Sequence, residues 1–249
     1  MEHAREVQPL GRAGQTSNEY RFSIVIPVLH EAERINDCLE QILSLQSDKA
    51  YEIIVVDADP NGETINSIRH RHIITAVSEP GRAKQMNAGA ALAGGDILIF
   101  LHADTQLPAD AFERIAEALK DEKYVGGAFD LGIDSDNFWL RATASRARLR
   151  SRLTRVPYGD QAIFLRKNYF DKIGRFKEIA LMEDVELMRR IKKRGDKIFI
   201  LCDQVKTSAR RWEKEGVFYT TLRNIVLVTL YTLGVSPDWL ARYYSKAKA

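Results

Sequence analysis

Several short polar segments of this chain combine residue types that can act on a phosphorylated ligand. His102 and Asp104 lie two residues apart, so in an extended chain both side chains point to one side. An imidazole and a carboxylate placed that way can hold a divalent cation, Mn²⁺ or Mg²⁺, against a diphosphate; the alternative is a polar strand end with a helix cap nearby. Asp57 follows the apolar run Ile53 to Val56. It can accept hydrogen bonds from a base N–H or a ribose hydroxyl, or it can cap a helix. Glu183 and Asp184 precede Val185, Leu187, Met188 and Ile191, a helical spacing that puts both acids in a first turn, where the helix dipole favours them. A carboxylate so placed suits removal of a proton from a hydroxyl.

Cations and aromatics form a second group. Gly81 to Gly89 offers a glycine followed by Arg82 and Lys84 at a predicted helix N-terminus, a natural anion site, although it is no P-loop, since Gly-Lys-Ser/Thr is absent. Tyr158-Gly159-Asp160-Gln161 is either a turn or, through Asp160 and Gln161, a sugar contact. Ser208 to Trp212 sets Arg210 and Arg211 beside an indole, an arrangement that can clamp phosphate while Trp212 stacks on a ring, or that can be a solvated basic loop. Six arginines fall between Leu140 and Arg155. Arg141, Arg148, Arg152 and Arg155 share a helical stripe, either a solvated face or one that meets anionic lipid or a phosphorylated acceptor.

These groups need a scaffold. Phe22 to Val28, Tyr51 to Val56, Ile73 to Val77 and Ile97 to Leu101 are short apolar runs suited to buried strands. Glu31 to Leu45 has one-sided helical spacing, Arg82 to Ala93 is an alanine-rich helix, and Pro108 to Lys120 is a helix with Pro108 near its first turn. Strand–helix alternation predicts a parallel sheet with helices on both faces. Right-handed crossovers then bring Asp57 and His102-Ala103-Asp104 to one edge. Further on, strands are expected at Val125 to Ile133, Ala162 to Leu165 and Lys197 to Leu201, and helices at Asn137 to Leu153, Asp184 to Lys193, Glu213 to Leu233 and Pro237 to Lys248.

Composition sets bounds. The 249 residues, 45% hydrophobic and 29% charged, suit one large α/β domain. A net charge of +3 is too weak a bias to argue for nucleic acid. Met1 to Arg21 reads as a flexible tail without a signal peptide, and Cys38 and Cys202 as reduced thiols of a cytoplasmic protein. No apolar stretch is long enough to span a bilayer. Val217 to Val235 comes nearest; its apolar face can bury on the body, on a partner subunit such as a second copy, or on lipid at the inner face of the membrane.

In order along the chain, the motifs resemble those of the family 2 glycosyltransferases. Pro27-Val28-Leu29-His30-Glu31 looks like that family's Pro-x-x-Asn-Glu opening, with His30 for Asn. His102-Ala103-Asp104 resembles its metal-binding Asp-x-Asp, Glu183-Asp184 its Glu-Asp with the Asp as catalytic base, and Ser208 to Trp212 its Gln-x-x-Arg-Trp. The resemblance runs from about residue 22 to residue 212, and Gly81 to Gly89 and Tyr158 to Gln161 are closer to one bacterial subgroup of small glycosyltransferase-like proteins. It implies a GT-A fold, a Rossmann-like, mainly parallel sheet flanked by helices. Residues 22–120 would form the nucleotide-sugar half, 121–212 the acceptor and catalytic half, and 213–249 the C-terminal helices.

The implied activity is inverting, metal-dependent transfer of a sugar from a nucleotide-diphosphate sugar to an acceptor hydroxyl. Asp184 and Glu183 would be the catalytic carboxylates, with Asp184 the base, and Asp104 and His102 the metal ligands. Pro27, His30, Glu31, Asp57, Arg82, Lys84, Asn87, Asp160, Gln161, Arg211 and Trp212 would bind donor or acceptor. Two readings stand beside it: nucleotidyl transfer on a similar sheet, which would release pyrophosphate, and a non-catalytic module that binds sugar nucleotide or a membrane surface. A nicotinamide dehydrogenase is excluded, because Gly-x-Gly-x-x-Gly is absent after the first strand.

Overall fold

A computed structural model describes residues 20–245. Most of the expected tail therefore lies outside the described residues, as do the last positions of the helix expected to reach Lys248. The elements run β1 (Phe22–Val28), α1 (Ile35–Leu43), β2 (Tyr51–Asp57), α2 (Glu63–Asn66), β3 (Ile74–Val77), α3 (Arg82–Leu92), β4 (Ile97–Phe100), β5 (Thr105–Gln106), α4 (Ala111–Ala118), β6 (Tyr124–Asp134), α5 (Phe138–Thr154), β7 (Phe164–Arg166), α6 (Lys167–Lys172), α7 (Glu183–Lys193), β8 (Lys197–Ser208), α8 (Arg210–Glu215), α9 (Val217–Thr232) and α10 (Pro237–Ser245).

The strands form one sheet in the order β3-β2-β1-β4-β7-β6-β8-β5. β1 pairs in parallel with β2 and β4, β2 with β3, and β6 with β8. β7 runs antiparallel between β4 and β6. Alternation along the buried strands divides the core between the two faces. Ile24, Ile26, Ile97 and Ile99 pack under α1 and α4, whereas Val25, Leu98 and Phe100 pack under α3, α6 and α7.

α3 lies unusually close to the sheet. A Cβ built on Gly89 would come within 2.4 Å of Val25 Cγ1, so only glycine lets the helix reach this depth. From the same helix, the buried Gln85 donates through Nε2 to the carbonyls of Val28 at 2.7 Å and Val56 at 2.9 Å. It thereby satisfies the ends of β1 and β2 where their ladders stop.

Several elements depart from the sequence expectation, among them α2 and α6, helices of four and six residues that are too short to show a period. β8 continues to Ser208 instead of ending at Leu201, because Asp203 to Ser208 alternate and pair with β6 and, at Lys206 and Thr207, with β5. An apolar-run criterion misses such a strand. β5 is only two residues long, too short for any pattern. The helix expected over Glu213 to Leu233 breaks at Gly216, which takes φ 90°. No helix of the described residues is long and apolar enough to cross a membrane.

Gly89→Ala sets two effects against each other. Alanine gains about 1 kcal/mol of helix propensity, but overpacking a tight core contact costs typically about 1–3 kcal/mol. The contact at Val25 wins, and the variant melts several degrees below the wild type in a thermal denaturation scan.

Candidate active site

Because β4 and β7 are antiparallel neighbours, residues just after β4 meet residues just before β7. The Phe100 N–H donates to the Ile163 carbonyl at 2.9 Å, which carries the pairing outward to His102 and the 3₁₀ turn Gly159–Gln161. A Cβ on Gly159 would lie 3.2 Å from His102 Nε2 and 3.3 Å from Asp184 Oδ2. Gly159 thus lets the imidazole and the carboxylate approach one point. Its own N–H donates to Asp184 Oδ2 at 2.6 Å, and Asp184 Oδ1 accepts the Val185 N–H at 2.7 Å. Asp184 enters α7 through Met182, a left-handed residue at φ 71° that turns the chain into the helix.

The pocket so formed is lined by Arg82, His102, Asp104, Asp160, Glu183, Asp184, Arg211 and Trp212, all expected from sequence, together with Tyr158, Ser208 and Tyr244. Arg82, first residue of α3, reaches across the sheet edge to Glu183 at 3.5 Å. Burial works against the Arg82 charge, but Glu183, Tyr244, Asp184 and Asp104 outweigh it and hold the guanidinium charged. Burial raises the Glu183 carboxyl against the pull of Arg82. Burial, reinforced by Arg82 and Arg211, pushes His102 down to about 3, so its imidazole is neutral. A neutral imidazole and the Asp104 carboxylate form a donor set that suits Mn²⁺ or Mg²⁺, with diphosphate oxygens and water to complete the shell. Asp160 Oδ1 and Trp212 Nε1 are buried without a hydrogen-bond partner, two polar atoms left for a ligand.

Other expected residues are committed elsewhere. Asp57 is fully buried and accepts the N–H groups of Asp59, Thr64 and Ile65 at 3.0, 2.9 and 3.3 Å. Its carboxylate is the cap of the α2 turn, the alternative left open by the sequence, and does not face the pocket. Gln161 is likewise buried, holding the Phe129 carbonyl and Ser151 through Nε2 and the Tyr158 N–H through Oε1. Asn87 clamps the backbone of Phe176 through both amide atoms. Lys84 pairs with Glu79. Pro27 stays within β1, and Glu31 pairs with Arg34 and, at 3.7 Å, with Arg210. His30, at φ 56°, turns to Glu63 at 3.2 Å, and with Asp59 these two form a His/acid cluster whose ligand atoms lie within 4.8 Å of one another. That cluster is separate from the pocket of Asp184.

The arginine stripe of α5 also divides. Arg148 donates to the Leu131 carbonyl and Arg152 pairs with Asp130 at 2.7 Å. Arg150 is not on a solvated face: its guanidinium stacks 3.1 Å from the Tyr158 ring centroid, with Nε and Nη1 buried and unpartnered. Burial lowers Arg150 to about 10, although Asp160 and Asp184 oppose the shift. Tyr244 was not anticipated. It hydrogen-bonds Arg211 and lies under the guanidinium, 5.5 Å from ring centroid to carbon, and an aromatic near a chain end carries no motif to mark it.

The sequence model of glycosyl transferase family 2 matches residues 23–178. A PGL/p-HBAD biosynthesis glycosyltransferase of Mycobacterium tuberculosis is 32% identical over 162 residues, 61% of this chain and 62% of that protein. A dolichol-phosphate mannosyltransferase of Saccharomyces cerevisiae is 26% identical over 166 residues, 60% of this chain and 62% of that protein. The chain spans less than two thirds of the length of these curated relatives. The crystal structure of S. aureus TarS 1-349 superposes with a TM-score of 0.58 at 15% identity, over 88% of this chain and 68% of that one, and shares its GT-A fold.

Burial raises Asp160 to about 6, with Asp184 and Asp104 adding to it and Arg150 opposing. A carboxyl whose folded value lies above its ordinary 3.8 stabilises the fold fully below that ordinary value and loses the contribution as pH rises through about 6. Asp160→Asn, melted with chelator present, therefore matches the wild type near pH 4 and melts a few degrees higher than it near pH 8.

Proposed function

The chain belongs to glycosyl transferase family 2, and from that premise we propose that it moves a sugar from a nucleotide-diphosphate donor to an acceptor hydroxyl with inversion at the anomeric carbon. The observation that carries this reading is the meeting in one pocket of the oriented carboxylate of Asp184, the His102–Asp104 pair and the cations Arg82 and Arg211. The acceptor oxygen attacks the anomeric carbon on the face opposite the diphosphate. Asp184 takes the hydroxyl proton as the new carbon–oxygen bond forms. The bond to the diphosphate breaks, and the nucleoside diphosphate leaves with its electron pair.

Each side chain has a part in this reading. The Gly159 N–H bond holds Asp184 in place for proton transfer. Arg82 and Arg211 offset the negative charge of the diphosphate, and Glu183 orients Arg82. Asp104, with the neutral His102, would hold Mn²⁺ or Mg²⁺, which supplies neutralisation of the charge on the departing group. The unpartnered Asp160 Oδ1 and Trp212 Nε1 are contacts for sugar or acceptor. The combination of base and metal-type ligands weighs against a non-catalytic binding module.

Asp184→Asn keeps the shape of the site and removes the base, so turnover of the donor falls by about 10²–10⁴-fold with melting temperature close to wild type. Thermal-shift titration with nucleoside diphosphates locates the other half of the site. At a hundredfold excess over Kd one of them stabilises the wild-type protein by about 2.7 kcal/mol in the presence of Mn²⁺ and by less without it, and Asp104→Ala loses the metal-dependent part. Wild-type turnover in both variants would remove the catalytic assignment.

A further inference from the structure

The outer face of α5 and α9 is not used by the transfer reaction, and it is conspicuously apolar. α9 buries only Thr220 and Leu227. Phe218, Leu222, Ile225, Val226 and Leu233 fall along one side of that helix at ~100° per residue, and all are exposed, Phe218 by 67% and Leu233 by 76%. α5 carries a parallel stripe of Phe138, Ala142, Leu149 and Leu153, with Leu153 exposed by 74%. The stripes join where the exposed Trp139 ring meets Phe218, centroid to centroid 5.1 Å. Single exposed apolar residues are ordinary on a monomer, but a continuous face across two neighbouring helices marks an interaction surface.

Charge identifies the occupant. Residues 137–155 hold six arginines and no Asp or Glu, and residues 216–237 hold no acid either. Arg141 and Arg146 are exposed, and neither makes an ion pair or a side-chain hydrogen bond among the described residues. A second copy docked on this face about a two-fold axis would set arginine against arginine, with acids only at its edges, Asp134 and Asp136 before α5 and Asp238 after α9. An anionic bilayer satisfies both parts. The apolar side chains enter the boundary between headgroups and acyl chains, and the arginines meet the phosphates. With no helix of the described residues able to cross, the contact of this face lies in the plane of the interface.

We propose that the α5–α9 face docks on an anionic lipid surface, an interaction that goes beyond the transfer reaction and does not depend on it. A cleft of about 370 Å³ between α5 and α9, lined by Arg146, Arg150 and Ile225, shares Tyr158, Asp160 and Trp212 with the active-site pocket. Docking in this orientation sets the mouth of that cleft toward the headgroups.

The test is co-sedimentation of the full chain with vesicles of phosphatidylcholine alone and of phosphatidylcholine mixed with phosphatidylglycerol. The protein partitions onto the mixed vesicles, weakly or not at all onto phosphatidylcholine, and comes off at high salt. Arg141→Gln with Arg146→Gln weakens partitioning by more than tenfold, at about fivefold per arginine, and Phe218→Asp with Leu222→Asp abolishes it. All four side chains are exposed, so melting temperatures stay at the wild-type value and a loss of binding is not a loss of fold. Equal partitioning onto both vesicle types, or binding that survives both double variants, overturns the proposal. So does a wild-type dimer in sedimentation velocity that Leu222→Asp dissociates, which would give the face to a second copy.

Discussion

The antiparallel pairing of β7 against β4 is the constraint on which the site depends. β4 lies parallel to β1 on one side and antiparallel to β7 on the other, with Leu98 opposite Leu165 and Ile99 opposite Phe164. Reversal of direction at that boundary means that the chain leaving β4 and the chain entering β7 occupy the same sheet edge. His102 and Asp104 come from the first, Gly159 and Asp160 from the second. An open α/β sheet forms its ligand crevice where strand order and direction change, and here the change brings together the two halves of the chemistry.

What surrounds that edge is a set of opposed charges, with Glu183 buried and Arg82, Arg150 and Tyr158 partly so, while Arg211 stays exposed. Arg82 and Glu183 pair across it, Arg211 rests on Tyr244, and Arg150 lies flat on Tyr158. Burying any one of these alone would be costly; together they offset much of one another. The residue of that balance is informative. Asp160 and Arg150 are displaced from their ordinary titration ranges mainly by burial, and both retain unpartnered polar atoms. Trp212 retains one as well. These three side chains sit together at the pocket, whereas Asp57 is partnered by backbone N–H groups and Gln161 by backbone and by the side chains of Ser151 and Arg150.

Patterns with a local cause were legible before any coordinates. The apolar runs of β1, β2 and β4 and the stripe of α1 are visible because a strand buried on both faces and a helix buried on one have characteristic periods, and α3 is visible from its alanines. The acids at the start of α7 were placed correctly for the same reason, since helix ends have their own preferences. β8 beyond Leu201 and the tiny β5 were not, because each owes its conformation to a partner strand distant in sequence. The break at Gly216 could have been read from glycine alone, but the apolar residues on both sides masked it.

The sequence by itself determined the family, the strand–helix alternation and the residue types at the pocket, because those follow from local periodicity and from motifs of fixed spacing. Tertiary structure decided which of the motif residues face the pocket. Asp57 and Asp184 are both acids at the end of a regular element, but one meets the N–H groups of its own turn and the other meets Gly159 and the cleft. Arg150 and Arg146 stand four residues apart on one helix, yet one is pressed on Tyr158 and the other is exposed. A side chain's partners are set by what the rest of the chain brings beside it, and no spacing along the sequence encodes that distance.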